Sequence, residues 1–279
     1  MRNLLVLLLT FLSTAAFSQK DFQGKVVYMS KTTMDMNFGG RQMSEDQKKR
    51  IAERMKSMFE KTFVLNFNTT ESLYKEEEKL SAPGQGRGSR FGGMMSFTGG
   101  LKYKNTKDAL VLEETEFFGK KFLITEGGEK PAWKLGSETK KIGNYTCFKA
   151  TLVKEDTAFD LSSFGRRGGN ANADKKENKE EKAKTVLVTA WYTPQIPVSQ
   201  GPGEFWGLPG LILEVHAGKT TVLCTSVTMN PKEKLALKMP KKGKKVTREE
   251  YNKIVTKKMT EMREQFRGRG GRGGGRGRG

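Results

Sequence analysis

The segment that most restricts the fold is residues 191–216, which read WYTPQIPVSQGPGEFWGLPGLILEVH. Half of the chain's eight prolines lie in it, namely Pro194, Pro197, Pro202 and Pro209. Proline fixes φ and has no N–H donor, so this segment cannot be a helix or a central strand. Aromatic side chains surround the prolines. We therefore predict a rigid excursion between two strands, folded onto a sheet by its aromatic residues.

The end of this segment has the residues of a tight turn. Leu208-Pro209-Gly210-Leu211 places Pro second and Gly third, as a type II turn requires. Gly210 would then have a positive φ. After the turn, Leu211, Leu213 and Val215 alternate as in a strand. We predict that this structural turn directs the alternating apolar residues into the sheet.

Short alternating segments recur along the chain and are separated by Gly-Gly, Gly-Asn and Ala-Gly turn signals. Regular short strands with tight turns favour an antiparallel sheet over βαβ units. The predicted strands cover residues 22–36, 63–67, 110–114, 120–125, 132–135, 145–153, 185–193, 211–216 and 220–228.

Two helices are predicted, each by a capping box. Ser44 with Gln47 begins the first, over 44–61, and Thr247 with Glu250 begins the second, over 248–266. Together with the strands, this predicts a mainly β chain with helices, of the α+β class. Its architecture would be a curved antiparallel sheet or half-barrel with two packed helices.

The chain also divides by composition. Residues 1–18 read as a signal peptide and 19–266 as a single β-rich domain. Two polar stretches, 81–100 and 155–184, read as loops within that domain, because they offer little apolar surface to offset the entropy of ordering. The last thirteen residues, 267–279, contain only Arg and Gly and are predicted to be a disordered tail.

The signal peptide sets the predicted location. Arg2 precedes an apolar run, and Ala16 and Ser18 are the small residues that a signal peptidase requires, so cleavage is expected before Gln19. The run is too short to span a bilayer permanently. We therefore expect a periplasmic or secreted protein of a Gram-negative-type envelope, with no transmembrane span after cleavage.

Several motifs resemble those of the GLPGLI family of exported bacterial proteins. Residues 207–212 read GLPGLI, and Ile142–Ala150 and Ala190–Glu214 resemble the flanking family motifs, as does Trp133. The resemblance runs from about residue 22 to 266. Asn144 and the long 155–184 insertion depart from the family pattern, and both fall in predicted loops. The resemblance implies no established activity.

Positive charge is concentrated at the C-terminal end. Residues 231–279 hold 17 Lys and Arg against 5 Asp and Glu, within a chain of net charge +20. An exported basic tail would meet anionic surfaces such as lipid headgroups or lipopolysaccharide phosphates. Export makes nucleic acid an unlikely partner, although the Arg-Gly repeats would suit it in the cytoplasm.

Candidate chemistry is sparse, and no cofactor is expected. The single histidine, His216, reads as a structural residue at a strand end. Glu204 and Glu214 flank the turn and could form an acid/base pair, although the sequence does not set their separation. Cys147 and Cys224 permit a disulfide or two buried thiols. Met34 and Met36 could offer soft ligands to copper.

Two classes of function remain open. In the first, a non-enzymatic envelope protein binds a partner chain or an apolar ligand on the sheet, with no catalytic residue. Its aromatic surface would consist of Trp133, Trp191, Tyr192, Phe205 and Trp206. In the second, an envelope hydrolase acts on glycan or peptide through Glu204 or Glu214. Copper binding through Met34 and Met36 is a further alternative.

Overall fold

The computed structural model describes residues 22–33, 44–77, 100–155 and 185–270. The predicted signal peptide, Met34, Met36, residues 81–99 and 156–184 of the two predicted loops, and residues 271–279 lie outside them. Contacts divide the chain into two compact units, residues 1–77 with 130–237 and residues 78–129 with 238–279. That residues 19–266 fold as one domain stays a prediction.

Within those described ranges the structure has twelve strands and two helices, so the predicted mainly β, α+β class is confirmed. In chain order the elements are β1 (Gln23–Thr32), α1 (Glu45–Phe59), β2 (Glu60–Asn68), β3 (Glu71–Glu76), β4 (Leu101–Asn105), β5 (Leu110–Phe117), β6 (Lys120–Gly127), β7 (Lys134–Ile142), β8 (Tyr145–Glu155), β9 (Thr185–Thr193), β10 (Leu211–Ala217), β11 (Thr220–Met229), β12 (Lys244–Thr247) and α2 (Arg248–Gly270).

The first unit is built on antiparallel strands in the order β3-β2-β1-β11-β10-β9-β8-β7. Alternate residues of neighbouring strands point to one side and form its core, because side chains alternate between the faces of a sheet. The largest of these fully buried residues in β1 and β2 are Val26, Tyr28, Leu65 and Phe67. The central strands are thus fixed by the period-two pattern from which they were predicted.

β10 departs from simple alternation. Leu211, Leu213 and Val215 are fully buried as predicted, but Ile212 is fully buried as well. The register with β9 shifts between Ile212 and Glu214, so a bulge re-aims the side chains at this point. The bulge pairs Glu214 with Trp191, so Glu214 shares a side of the sheet with Trp191 and not with Tyr192, the partner of Ile212.

Several strands have no counterpart in the sequence prediction. β3, β4 and β12 were missed, and β7 extends to Ile142 although only 132–135 was predicted. β7 is an edge strand whose residues are mostly exposed and polar, reading KLGSETKKI. An exposed edge strand does not need an apolar alternation, so the pattern carries no signal there.

The second unit contains the strand order β12-β6-β5-β4, with α2 packed against it. β12 runs parallel to β6, whereas the sequence predicted antiparallel pairing only. The apolar face of α2 includes Val255 and Met259, which pack with Phe122 and Ile124. The unit therefore has a small core of its own between one helix and one sheet.

Both predicted capping boxes are confirmed. The Ser44 hydroxyl accepts from the Gln47 amide, and the Gln47 side chain accepts from the Ser44 amide. At α2, Thr247 and Glu250 exchange the same two bonds, at 2.9 Å and 3.2 Å. α2 continues to Gly270, beyond the predicted end at residue 266. None of the described helices is long and apolar enough to cross a membrane.

A buried ion network ties α2 to the sheet of the second unit. Arg248, the first residue of α2, contacts Glu113 of β5 at 2.5 Å and also Glu126 of β6. Lys102 of β4 lies 3.2 Å from Glu113. Burial by itself would raise the pKa of Glu113, but Lys102 and Arg248 together hold that pKa below its ordinary value. The network therefore keeps a buried carboxylate ionised.

Candidate functional site

The proline-braced segment, residues 194–210, packs on the core side of the first unit. The Tyr28 hydroxyl donates to the Ile212 carbonyl at 2.6 Å, and the amides of Leu211 and Ile212 donate to Ile196 and Gln200. Ile196, Val198 and Leu208 are buried. The predicted excursion is thus a plug that belongs to the core.

Gln200 fixes the middle of this plug. Its side chain and that of Ser72 are both fully buried, and the Ser72 hydroxyl donates to Gln200 Oε1 at 2.7 Å. The Gln200 amide nitrogen donates to the Thr70 carbonyl at 3.3 Å. A buried amide must be satisfied in this way to avoid a large desolvation cost. Sequence reasoning missed this pair, because two polar residues 128 positions apart carry no local signal.

Gly210 is required by close backbone packing, not by the predicted turn. A Cβ on Gly210 would lie 2.2 Å from the Thr193 carbonyl oxygen, and its φ is +157°. The Gly210 amide donates to Leu208, which closes a three-residue turn around Pro209. The predicted positive φ of Gly210 is confirmed. The type II prediction for Leu208–Leu211 is wrong, because φ of Gly210 is far from the value of about +80° that such a turn has. The Leu211 amide also donates to Ile196 and not to Leu208.

The five predicted aromatic ligand residues do not form one surface. Trp133 Nε1 donates to the Trp206 carbonyl at 2.7 Å, and its ring lies 6.4 Å from that of Phe205. Trp206 and Tyr192 are buried. Trp191 and Tyr192 are consecutive in a regular strand, so they point to opposite faces. Trp133, Phe205 and Trp206 mainly hold the plug in place.

Trp191 belongs to a charged group that we call the Glu214 cluster, comprising Glu214, Lys140, His216 and Trp191. Lys140 Nζ donates to Glu214 Oε1 at 2.6 Å and lies 4.4 Å from the centroid of the Trp191 ring. His216 Nε2 lies 2.5 Å from the same carboxylate oxygen. The Glu214 side chain is only 10% exposed, whereas that of His216 is 47% exposed. The nearly buried Glu214 carboxylate thus accepts hydrogen bonds from two side chains. One of them, the ammonium group of Lys140, also lies over the Trp191 ring.

The geometry gives little support to acid/base catalysis. His216 Nδ1 lies 3.0 Å from Thr221 Oγ1, but the two residues are direct cross-strand partners, so this contact follows from strand pairing. Glu204 is ion-paired with Lys154, while Glu214 is ion-paired with Lys140. Each predicted catalytic carboxylate therefore has its own lysine.

The described residues include no group of three or more His, Cys, Asp or Glu side chains placed to hold a metal ion. The predicted copper ligands, Met34 and Met36, lie outside the described residues. The structure thus neither supplies nor tests a soft-metal site.

Cys147 and Cys224 are both free thiols in this structure, so the permitted disulfide is not formed. Cys147 is buried and Cys224 half-buried. Burial raises the pKa of each thiol to about 11. A thiol reacts through its thiolate, so both cysteines are poor nucleophiles at neutral pH.

Beyond the Glu214 cluster, the same side of the sheet carries exposed apolar side chains. The register pairs Trp191 with Glu214, Glu214 with Leu223 and Leu223 with Met29, so the four residues form one lateral row. Leu223 is 37% exposed and Met29 44%. We call this side of the first unit's sheet the open face.

A second apolar pair lies on the open face. Val153 pairs with Leu187 across β8 and β9, and these side chains are 60% and 62% exposed. Leu187 is four residues from Trp191 in the same strand, so both point to the same side. The open face thus combines four large apolar side chains with the Glu214 cluster, which includes Trp191.

Comparison with known proteins gives one family match. Residues 133–214 match the model of a family described as "Protein of unknown function (Porph_ging)". This range covers β7, β8, β9, the plug and most of β10, and it contains Trp191 and Glu214. No curated protein matches the chain.

Solved structures of PNGF-II, in space groups C2 and P21, are similar to this chain at 16% sequence identity and a TM-score of 0.47. The likeness covers 85% of this chain and 33% and 34% of those chains. This chain therefore spans about a third of the length of PNGF-II.

Proposed function

We propose that this chain is a non-enzymatic envelope protein that binds a protein partner on its open face. The observation that carries the proposal is the pairing of exposed apolar side chains, Val153 with Leu187 and Met29 with Leu223. Large apolar side chains exposed together on one side of a sheet are costly in water unless another surface covers them. Trp191 adds an aromatic residue to the same row.

The pattern favours a protein over a small apolar ligand. A ligand site is concave and encloses most of its occupant, whereas these side chains are spread over four strands, β8, β9, β11 and β1, with β10 between them. Interfaces between proteins combine apolar and aromatic side chains with polar residues that lie mainly at the rim. The Glu214 cluster, between the two apolar pairs, would fix the register of the partner.

This proposal replaces the aromatic surface predicted from sequence. Tyr192 and Trp206 are too buried to contact a partner, and Trp133 is engaged with the Trp206 carbonyl. Of the five predicted residues, Trp191 is the one that shares a side with the exposed apolar pairs. The plug contributes by holding β9 and β10 in the register that builds the open face.

The test compares two leucines of equal exposure on opposite sides of the first unit's sheet. Leu187, on the open face, is 62% exposed, and Leu135, which pairs with the core residue Ala150, is 60% exposed. Leu187→Asp should abolish recovery of a partner chain from the native envelope, because a buried unpaired charge opposes association. Leu135→Asp should leave recovery unchanged. Native mass spectrometry of the gently extracted protein measures both.

The mass of the retained molecule shows directly whether the open face binds a protein chain or a lipid. A retained protein chain that is lost in Leu187→Asp alone supports the proposal. A retained lipid in place of a chain would show that the open face binds an apolar ligand. Equal recovery of the partner with both variants would contradict a role for the open face.

We further infer that the chain belongs to the GLPGLI family. The GLPGLI residues, 207–212, lie inside the matched range 133–214, as does the whole motif from Ala190 to Glu214. The same holds for Ile142–Ala150, which contributes the turn after β7 and the first half of β8.

Export is part of the proposal. The first eighteen residues support cleavage before Gln19 and a periplasmic or secreted location. The intact mass of the protein recovered from the envelope should equal that of residues 19–279. A recovered chain that retains Met1 would contradict export by this route.

A further inference from the structure

A lysine-rich surface lies on the second unit, where β6 and β12 begin. We call it the lysine patch, and it consists of six exposed residues: Lys120, Lys121, Lys241, Lys242, Lys244 and Lys245. β12 pairs with β6 from Lys244 and Phe122 onward. A Cβ on Gly243 would lie 2.9 Å from the carbonyl carbon of Lys121. The two segments thus touch through their backbones, which brings six ammonium groups into one area.

The patch retains most of its positive charge. Glu116 faces Lys121 across β5 and β6 as its register partner. Within the described part of the chain, no ion pair holds any of the six lysines. The nearby acidic residue Glu250 is engaged in the helix cap with Thr247. Uncompensated ammonium groups in one area attract an anionic surface over about one Debye length.

An apolar side chain accompanies the lysines. Met239 is 42% exposed and lies between Lys238 and Pro240, just before the patch. Long lysine stems with an exposed apolar neighbour are typical of surfaces that rest on a bilayer, where the apolar group enters the headgroup region. A soluble phosphate compound would make no contact that requires the exposed apolar side chain of Met239.

We propose that the lysine patch docks the second unit on a bilayer surface that carries anionic lipid headgroups. This site is distinct from the open face of the first unit and is built from residues of defined structure. It also differs from the Arg/Gly tail that composition alone suggested. The patch would hold an exported protein peripherally at a membrane.

Vesicle sedimentation of the full exported chain tests the proposal. Wild type should bind vesicles containing phosphatidylglycerol and not those of phosphatidylcholine alone, and added salt should release it. Replacing four patch lysines with Gln should lower binding at least about tenfold, since each lysine near an anionic surface contributes separately. These four are Lys241, Lys242, Lys244 and Lys245.

A matched control removes the same charge elsewhere. Four dispersed, exposed lysines are replaced with Gln, and binding should fall less than about twofold, because they are not gathered on one surface. They are Lys25, Lys75, Lys107 and Lys134. Deletion of residues 271–279 should likewise leave most of the binding.

Four outcomes would overturn the proposal. The first is an equal loss in the patch variant and the dispersed control, which would show that only net charge matters. The second is a loss confined to the 271–279 deletion. The third is wild-type binding to soluble polyphosphate as tight as to vesicles. The fourth is a patch variant that aggregates but binds vesicles normally, which would mean that the lysines only protect the edge strand β12.

Discussion

Gly210→Val should lower the free energy of unfolding of the first unit by about 3 kcal/mol, near the upper end for overpacked sites. The added Cβ would lie 2.2 Å from the Thr193 oxygen and 2.9 Å from the Pro194 nitrogen, and both contacts are with backbone. Backbone cannot rotate away as a side chain can, so either β9 or the plug must shift. Gly210→Ala should be destabilising for the same reason, and the branched valine should be worse.

Two controls separate packing from conformation. Gly143 also has a positive φ, +57°, but a Cβ there would meet nothing within 4 Å. Gly143→Ala should therefore cost only about 1 kcal/mol, the price of a left-handed conformation. Pro209→Ala should cost about as little, because it mainly frees the unfolded chain.

Urea unfolding followed by tryptophan fluorescence measures the stability of the first unit, which contains Gly210, Gly143 and Pro209. All three tryptophans, Trp133, Trp191 and Trp206, belong to the first unit, so the signal reports that unit. A Gly210→Val protein as stable as wild type that loses partner binding would show that the GLPGLI segment is a contact site. The account of it as a core plug would then be wrong.

Arg248→Met should be the most damaging single change in the second unit. It leaves Glu126 without its arginine and Glu113, whose side chain is 7% exposed, with Lys102 alone. Removing one partner from a buried ion pair costs about 3 kcal/mol, because the remaining charge stays desolvated. Arg248→Lys should cost less, since it keeps the charge but loses the two-pronged contact.

The effect should depend on pH in a defined direction. The folded-state pKa of Glu113 lies below its ordinary value of 4.5. The unfolded chain therefore binds the proton more tightly, so the stabilisation is fully present above the unfolded pKa and is lost as pH falls through the folded one. The difference between wild type and Arg248→Met should be largest near neutral pH and should shrink below about pH 4.

Hydrogen exchange of the β5 and β6 amides measures this difference in the second unit itself. Arg248→Met should speed exchange there at neutral pH, and the ratio to wild type should fall on acidification. A ratio independent of pH would show that Glu113 is not the group stabilised by Arg248.

The sequence predicts the elements whose signal is local. The boundaries of β9 agree with the prediction at both ends, and both capping boxes form, because each depends on residues a few positions apart. The prolines also restricted residues 194–210 to an excursion. By contrast, the edge strand β7 has no apolar period, so nothing in its residues distinguishes it from a loop.

The candidate site depended on long-range pairing and was predicted less well. The bulge at Ile212 and Glu214 decides that Glu214 shares a face with Trp191, and no local pattern encodes that shift. Lys140 reaches Glu214 from 74 residues away. The aromatic residues were grouped because they are close in sequence, but strand alternation places Trp191 and Tyr192 on opposite faces.

Methionine oxidation detects a partner on the open face, because two exposed methionines report different surfaces. Met29 lies on the open face and is 44% exposed, and Met239 adjoins the lysine patch and is 42% exposed. Peroxide oxidises methionine according to its exposure. In a gentle detergent extract that removes the bilayer but keeps partners, Met29 should be protected and Met239 should oxidise. In the stripped protein both should oxidise alike. Equal oxidation of Met29 in the extract and in the stripped protein would contradict a partner on the open face.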